Sequence, residues 1–440
     1  MDVTNLILYL KSKITDQTID QQMVSKAIRL LELGAVFTAN TFADLPTAMG
    51  RSGQLWYVLY DGLYWSTGEF WLPIIQTTQS LAWGWGYNGA GRVGGGTVGG
   101  NLSSPISVVG GFTNWRQVSG GASHSVAVRS NGGIWSWGDN NCGKLGNNSE
   151  GGGAQSPVSV VGGITDWCQT DAGSYHSVAL RTSGTAWSWG CNANGRLGDN
   201  TTTARSSPVS VVGGITNWCA VSGGGYHSLA LRTDGTAWAW GGGSFGRLGD
   251  NTVADKSSPV SVVGGFSDWC QISAGCQHNL AIRTGGTAWA WGLGNSGQLG
   301  IAAYGCRSSP VSVVGGFTNW CQVSAGNIHS VAVRTSGSAW AWGNNYCGQL
   351  GNNSVTANLS PVSVVGGFTD WCAISAGHIH TVGLRTQGSS WSWGRNHVAQ
   401  LGDNTTTNRS SPVSVMGGLS DWCQISAGCV HNVALRSKIL

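Results

Sequence analysis

The chain has 440 residues, of which only 10% are charged, and a formal net charge of +4. No basic stripe or block of like charge occurs, which excludes non-specific nucleic-acid binding driven by phosphate neutralisation. No stretch approaches the roughly 20 apolar residues of a membrane-spanning helix, and Asp2 with the short run Leu6–Leu10 does not make a secretory leader. The chain is expected to be made and folded in a cytoplasm.

Residues 1–34 predict two helices. The first runs from about Thr4 to Lys13. The second has an N-cap at Asp20, an apolar stripe of Met23, Val24, Ala27, Ile28 and Leu31, and a stop at Gly34. That stripe buries little by itself, so it predicts an anchoring or homo-oligomerisation segment.

Residues 35–76 predict a small β module. Gln54–Tyr60 reads as a strand, Asp61-Gly62 as a tight hairpin turn and Leu63–Ser66 as the returning strand, with Glu69–Ile75 following another glycine turn. The string Phe42-Ala-Asp-Leu-Pro46, then Gly53, Trp56-Tyr-Val58, Tyr64-Trp65 and Trp71, resembles short modules of bacteriophage tail and fibre proteins. The helical pair ahead of it is similar to the start of phage virion proteins.

Residues 77–440 repeat. His124, His176, His227, His278, His329, His380 and His431 are spaced by 52 residues at the first step and by 51 at the rest. Ser-Pro pairs from Pro105 to Pro412 and Trp-x-Trp-Gly tetrads from Trp83 to Trp391 keep the same beat. A Gly- and Trp-rich period near 50 with internal turn signals predicts a β-propeller. One unit, Ser309 to Gly343, holds four short alternating runs: Pro310–Val314, Asn319–Ser324, His329–Arg334 and Ser338–Trp342. This predicts a four-stranded blade.

In the last run Trp340 and Trp342 share one strand face while Ala339 and Ala341 leave the other flat. The indoles of one blade can therefore lie on the flat face of its neighbour, which makes all fourteen a predicted core. The first Trp-x-Trp precedes the first Ser-Pro, and the last unit ends at Leu440 without a Trp-x-Trp strand. Ser80–Gly86 is therefore expected to supply the fourth strand of the last blade and close a ring of seven. The fold class is all-β, a seven-bladed β-propeller with circular strand closure behind a helical pair and a β module.

Of the 12 cysteines, Cys168, Cys219, Cys270, Cys321, Cys372 and Cys423 are one repeated position. Equivalent points on adjacent blades lie further apart than the roughly 7 Å a disulfide spans. These six read as small buried hydrophobes, reduced.

Gly326, His329, Trp342-Gly343 and Gly348-Gln349-Leu350-Gly351 make a pattern that resembles the repeat of the regulator of chromosome condensation family, and it runs through all seven units. The resemblance implies the propeller fold. It does not imply one activity, because the family includes guanine-nucleotide exchange factors, enzyme inhibitors and adhesive proteins.

A catalytic residue is not needed seven times, so the histidine series reads as buried and structural, hydrogen-bonded to backbone. Positions that differ between copies are the binding candidates. These are Tyr175, Tyr226, Gln277, Asn327 and His378 ahead of the repeated histidines, and Phe245, Tyr346 and His397 in the loops after Trp-Gly. His378-x-His380 lacks a carboxylate to complete a metal site, and Asx turns account for Asp199-Asn-Thr, Asp250-Asn-Thr and Asp403-Asn-Thr. No metal, cofactor or catalytic group is assigned. The expectation is a non-enzymatic phage virion protein, assembled in the host cytoplasm. Residues 1–76 would hold other virion proteins, and the propeller loops a host-surface protein or glycan. The alternative is a regulatory propeller similar to the exchange factors, or a soluble lectin or inhibitor.

Overall fold

The computed structural model describes residues 78–439 and, ahead of them, strand residues 37–39, 55–58, 62–66 and 71–75. The helices expected over 1–34 lie outside the described residues. The chain divides into two compact units, Met1–Ser80 with Ser437–Leu440, and Leu81–Arg436.

The first unit holds one sheet in the order Phe37–Ala39, Leu55–Val58, Gly62–Ser66, Trp71–Ile75. The last three strands match the expected runs. The parallel Phe37–Ala39 strand does not, being too short to show alternation. Gly62 pairs with Val58, so it opens a strand instead of completing a turn. Pro73 sits on the edge strand, where a sheet tolerates proline.

The second unit is a ring of seven four-stranded antiparallel sheets. The fifth blade comprises Trp320–Ala325, His329–Arg334, Ala339–Gly343 and Asn358–Ser363. Strands that begin with Trp pack on their counterparts in the neighbouring blades and so line the axis. The Ser-Pro strand is the outermost strand of a blade and not the first of the next. Arg307–Ser312 pairs with Ala288–Gly292, setting Trp289 opposite Ser312. The expected unit starting at Ser309 was out of phase because a cyclic repeat does not mark its own beginning. The short link from Ser312 to Trp320 crosses between blades, while the longer loop over 293–306 stays inside one.

That phase also corrects the closure. The last blade runs Trp422–Ala427, His431–Ile439, Thr78–Tyr87, Asn101–Ser107. The early segment supplies its third and fourth strands, two from each end of the repeat region. No sheet edge is left open between the first and last blades.

Blade stacking follows the small-and-large alternation. Trp342 is fully buried among Leu280, Ile282, Ala288 and Ala290 of the preceding blade and Val323 and Ala332 of its own. An indole removed from water in this way contributes at most about 4–6 kcal/mol. The first Trp of each pair departs from expectation, being half-buried. Trp340 lies under the Arg334 guanidinium, 5.8 Å away, with Phe317 at 5.1 Å. Arg334 is held by Asn319 at 2.7 Å and Arg385 by Asp370 at 2.8 Å, so these repeated pairs stay within a blade. Gly351 has φ +67°, and a Cβ there would lie 2.6 Å from Trp393 Nε1 of the next blade. Only glycine fits against that indole.

The repeated cysteines are not buried. Cys219, Cys270, Cys321, Cys372 and Cys423 are exposed and Cys168 is half-exposed. Each is the extra residue of a β-bulge: Trp167 pairs with Arg181 and Gln169 with Leu180, leaving Cys168 unpaired on the axial strand. A disulfide does form, between Cys142 and Cys191, with Cα atoms 4.9 Å apart. These two occupy different positions in adjacent repeats, so the spacing argument against equivalent cysteines does not reach them.

Trp342→Ala is expected to lower stability by about 3–5 kcal/mol in chemical denaturation. Trp340→Ala is expected to cost clearly less, because its indole is already half in water. Gly351→Ala should destabilise although it adds only a methyl group.

Candidate binding face

Most of the repeated polar side chains are used inside the ring. Each series histidine is fully buried, and its Nε2 meets a Ser, Thr or Asn of the next blade: His124 meets Ser177 at 2.9 Å, His329 Thr381 at 3.0 Å and His431 Ser125 at 2.9 Å. The Ser177 hydroxyl donates to the Lys144 carbonyl at 3.0 Å, so it accepts from His124, which fixes the proton on Nε2. The expected backbone partner is thus a side chain in the neighbouring blade. Burial lowers the pKa of every member, to about 3 for His278. The ring is therefore neutral near pH 7 and clasps all seven blades.

A second clasp surrounds the axis. Ser119 Oγ accepts from Ala172 N at 3.0 Å, and Ser324 Oγ from Ala376 N at 3.0 Å. In the second blade Asp171 takes the serine position and accepts from Ser222 Oγ at 3.0 Å and Gly223 N at 2.9 Å. Burial raises the Asp171 pKa, and these donors oppose the rise. Gln117 bridges both ways to Thr170 of the next blade, at 2.9 Å each. These groups replace the hydrogen bonds that an axial sheet edge otherwise lacks.

At one mouth of the axial channel, Ser174, Cys276, Asn327, His378 and Cys429 ring a shallow glycine-lined cavity. Beside it stand Tyr175, 39% exposed, and Tyr226, their rings 5.4 Å apart. The Arg196 guanidinium sits 5.4 Å from the first ring and 5.5 Å from the second, and Arg247 lies 5.0 Å from Tyr226. Hydrogen bonding with Tyr226 raises the Tyr175 pKa. Asn327 Nδ2 donates to His378 Nε2 at 2.7 Å, and burial lowers the His378 pKa.

The candidates therefore fall into two contacting pairs, Tyr175 with Tyr226 and Asn327 with His378. Gln277 is half-buried in the fourth blade. Phe245, Tyr346 and His397 are exposed in separate loops of the third, fifth and sixth blades. The Asp199 loop is internally satisfied: burial pushes the carboxyl up, but donors from Thr201, Arg205 and Asn192 hold it below its ordinary value. No group of three metal-ligating side chains occurs among the described residues. Gly242-Gly243-Ser244-Phe245-Gly246 spells a nucleophile elbow, yet it lies in a turn between two strands, without the strand-to-helix context of that motif.

The arginines were not anticipated, although the signal was there. In the Gly-x-Leu-Gly element and its variants, the second position reads Arg92, Lys144, Arg196 and Arg247 in four successive copies, then Gln298, Gln349 and Gln400. All seven side chains belong to loops between third and fourth strands.

Residues 66–327 match the RCC1-like domain, and 336–384 and 387–435 match the regulator of chromosome condensation (RCC1) repeat. The human E3 ubiquitin-protein ligase HERC2 is 35% identical over 257 residues, covering 57% of this chain and 5% of that protein. The ultraviolet-B receptor UVR8 of Arabidopsis thaliana is 30% identical over 301 residues, covering 66% of this chain and 68% of the receptor. Among solved structures, yeast RCC1 (Prp20) bound to Kap60 superposes with a TM-score of 0.74 at 19% identity, covering 82% of this chain and 90% of that one. Human WBSCR16 gives 0.73 at 19%, covering 82% and 100%. At that identity the structural likeness speaks for the fold.

The buried histidines have a pH consequence. Their folded pKa values lie below the ordinary 6.5, so the unfolded chain binds more protons between about pH 6.5 and 3. Stability is full above that window and falls as pH drops through it, by up to about 1.4 kcal/mol per pH unit for each imidazole. Denaturation midpoints should be flat above pH 7 and fall steeply below pH 6. His329→Gln should lower the slope by about one proton.

Proposed function

We propose, on the premise that the chain belongs to the RCC1-like domain family, that it is a regulatory propeller that works by holding a protein partner on the channel-mouth face. It carries out no covalent chemistry of its own. The observation behind this reading is a division of labour among polar residues. The repeated His, Ser and Gln side chains bond from blade to blade, while the non-repeated Asn327 and His378 line the mouth and Tyr175 and Tyr226 stand beside it, all exposed or half-exposed. Exposed tyrosines beside arginines on a rigid frame are the residue types that dominate protein interfaces.

A second reading is a phage-particle adhesion head anchored through residues 1–76, with a host-surface receptor at its loops. The strings Phe42–Pro46, Trp56–Val58 and Tyr64-Trp65, which resemble phage tail modules, favour it.

Exchange-factor members of the family supply the first test, release of labelled GDP from a panel of small GTPases. A rate increase lost in Tyr175→Ala/Tyr226→Ala supports the regulatory reading, and no response from any of them removes exchange activity. Immunogold labelling of purified particles tests the second reading, and absence from particles removes it.

A further inference from the structure

The sevenfold pattern breaks in one place with a definite sign. Arg92, Lys144, Arg196 and Arg247 occupy four consecutive loops around the ring, in the seventh, first, second and third blades, and glutamines fill the other three. Lys144 is neutralised by Asp139 at 2.5 Å. Arg92, Arg196 and Arg247 enter no ion pair among the described residues. Arg92 is held by the Gly89 and Ala122 carbonyls at 2.9 and 2.8 Å, and Arg247 by the Gly242 carbonyl at 2.6 Å. Arg196 is only 4% exposed, bonds Asn194 through one Nη, and has a buried Nε with no partner.

Buried guanidiniums without a counter-charge are costly in a folded chain; Arg196 and Arg247 are buried and Arg92 half-buried, and burial pushes each below its ordinary pKa. All three are instead covered by aromatic rings, Tyr87 over Arg92 at 4.8 Å and the Tyr175–Tyr226 pair over Arg196 and Arg247. Tyr87 and Tyr175 are themselves 38% and 39% exposed, so these rings stand at the surface where a partner can approach. Asp255 lies close by, bonded to Asn194 at 2.7 Å and Gly243 N at 2.8 Å, so the local excess of positive charge is small. A patch of that kind suits a few carboxylates in planar, bidentate contact. A dense phosphate chain needs a longer basic track.

We infer that the arc formed by Arg92, Arg196 and Arg247 with Tyr87, Tyr175 and Tyr226 docks an acidic segment of a protein partner, with Asp or Glu carboxylates meeting the guanidiniums. This rests on the protein-binding reading above and adds the chemistry and orientation of the partner. The segment crosses the arc of the seventh to third blades that carries these three arginines.

The test uses the full chain and a fluorescent glutamate-rich decapeptide, read by anisotropy at low and physiological salt. Binding is expected, weakening with salt, and falling about tenfold or more in Arg247→Gln and in Arg92→Gln. Tyr175→Ala, at an exposed ring outside the core, should also weaken it and covers the case in which an arginine variant fails to fold. Arg307→Gln on the outer rim should leave it unchanged. No binding by the wild type, or equal binding by the arginine and Tyr175 variants, overturns the inference. Equal affinity for a single-stranded oligonucleotide of the same charge also overturns it, in favour of a general polyanion site. A protein partner whose binding ignores Arg247→Gln would leave the protein-binding reading standing and remove this one.

Discussion

The structure depends on one contact made seven times, a tryptophan laid on the small-residue face of the preceding blade. Trp342 over Ala288 and Ala290 shows it. Everything polar is arranged to let that contact form. The histidine clasp sits where the sheets converge, and the axial Ser and Gln bonds complete strands that have no further neighbour. Glycines such as Gly351 keep the loop backbone close to the indole edge. The blades are thus joined by an apolar face reinforced by hydrogen bonds mostly between uncharged groups.

This explains what could be read from residues alone. Copy number and closure follow from counting, since each repeat must stack on two neighbours and each end holds what the other lacks. The Trp and Ala alternation states which faces meet. The phase of the blades could not be read the same way, because every strand of a cyclic repeat is flanked by two similar strands. The cysteines misled because a small apolar residue after Trp looks like core, whereas a bulge turns it outward. The histidines are buried, and their partners lie 52 or 53 residues away for most pairs, where no local pattern points.

The candidate site was legible in outline. Tyr175 and Tyr226 stand out because they break the repeat, and they do meet. Arg196 and Arg247 were hidden inside a motif whose other letters dominate attention. Their importance is visible only when the loops of successive blades are set side by side around an axis. In a symmetric scaffold the departure from symmetry carries the information about partners, and in the Gly-x-Leu-Gly loops the basic departure falls in one arc.

The composite last blade sets the order in which the ring can form. Strands Thr78–Tyr87 and Asn101–Ser107 are made before the other strands of the propeller, yet the first of them pairs with His431–Ile439, made after all the other blades. Six blades can assemble progressively on local contacts while the earliest hairpin waits. Its latching is the contact of greatest sequence separation, and therefore the slow event expected of such topologies. Until it happens, the nascent ring is a crescent with a sticky flank at either tip, which is the stage at which a chaperone has most to protect.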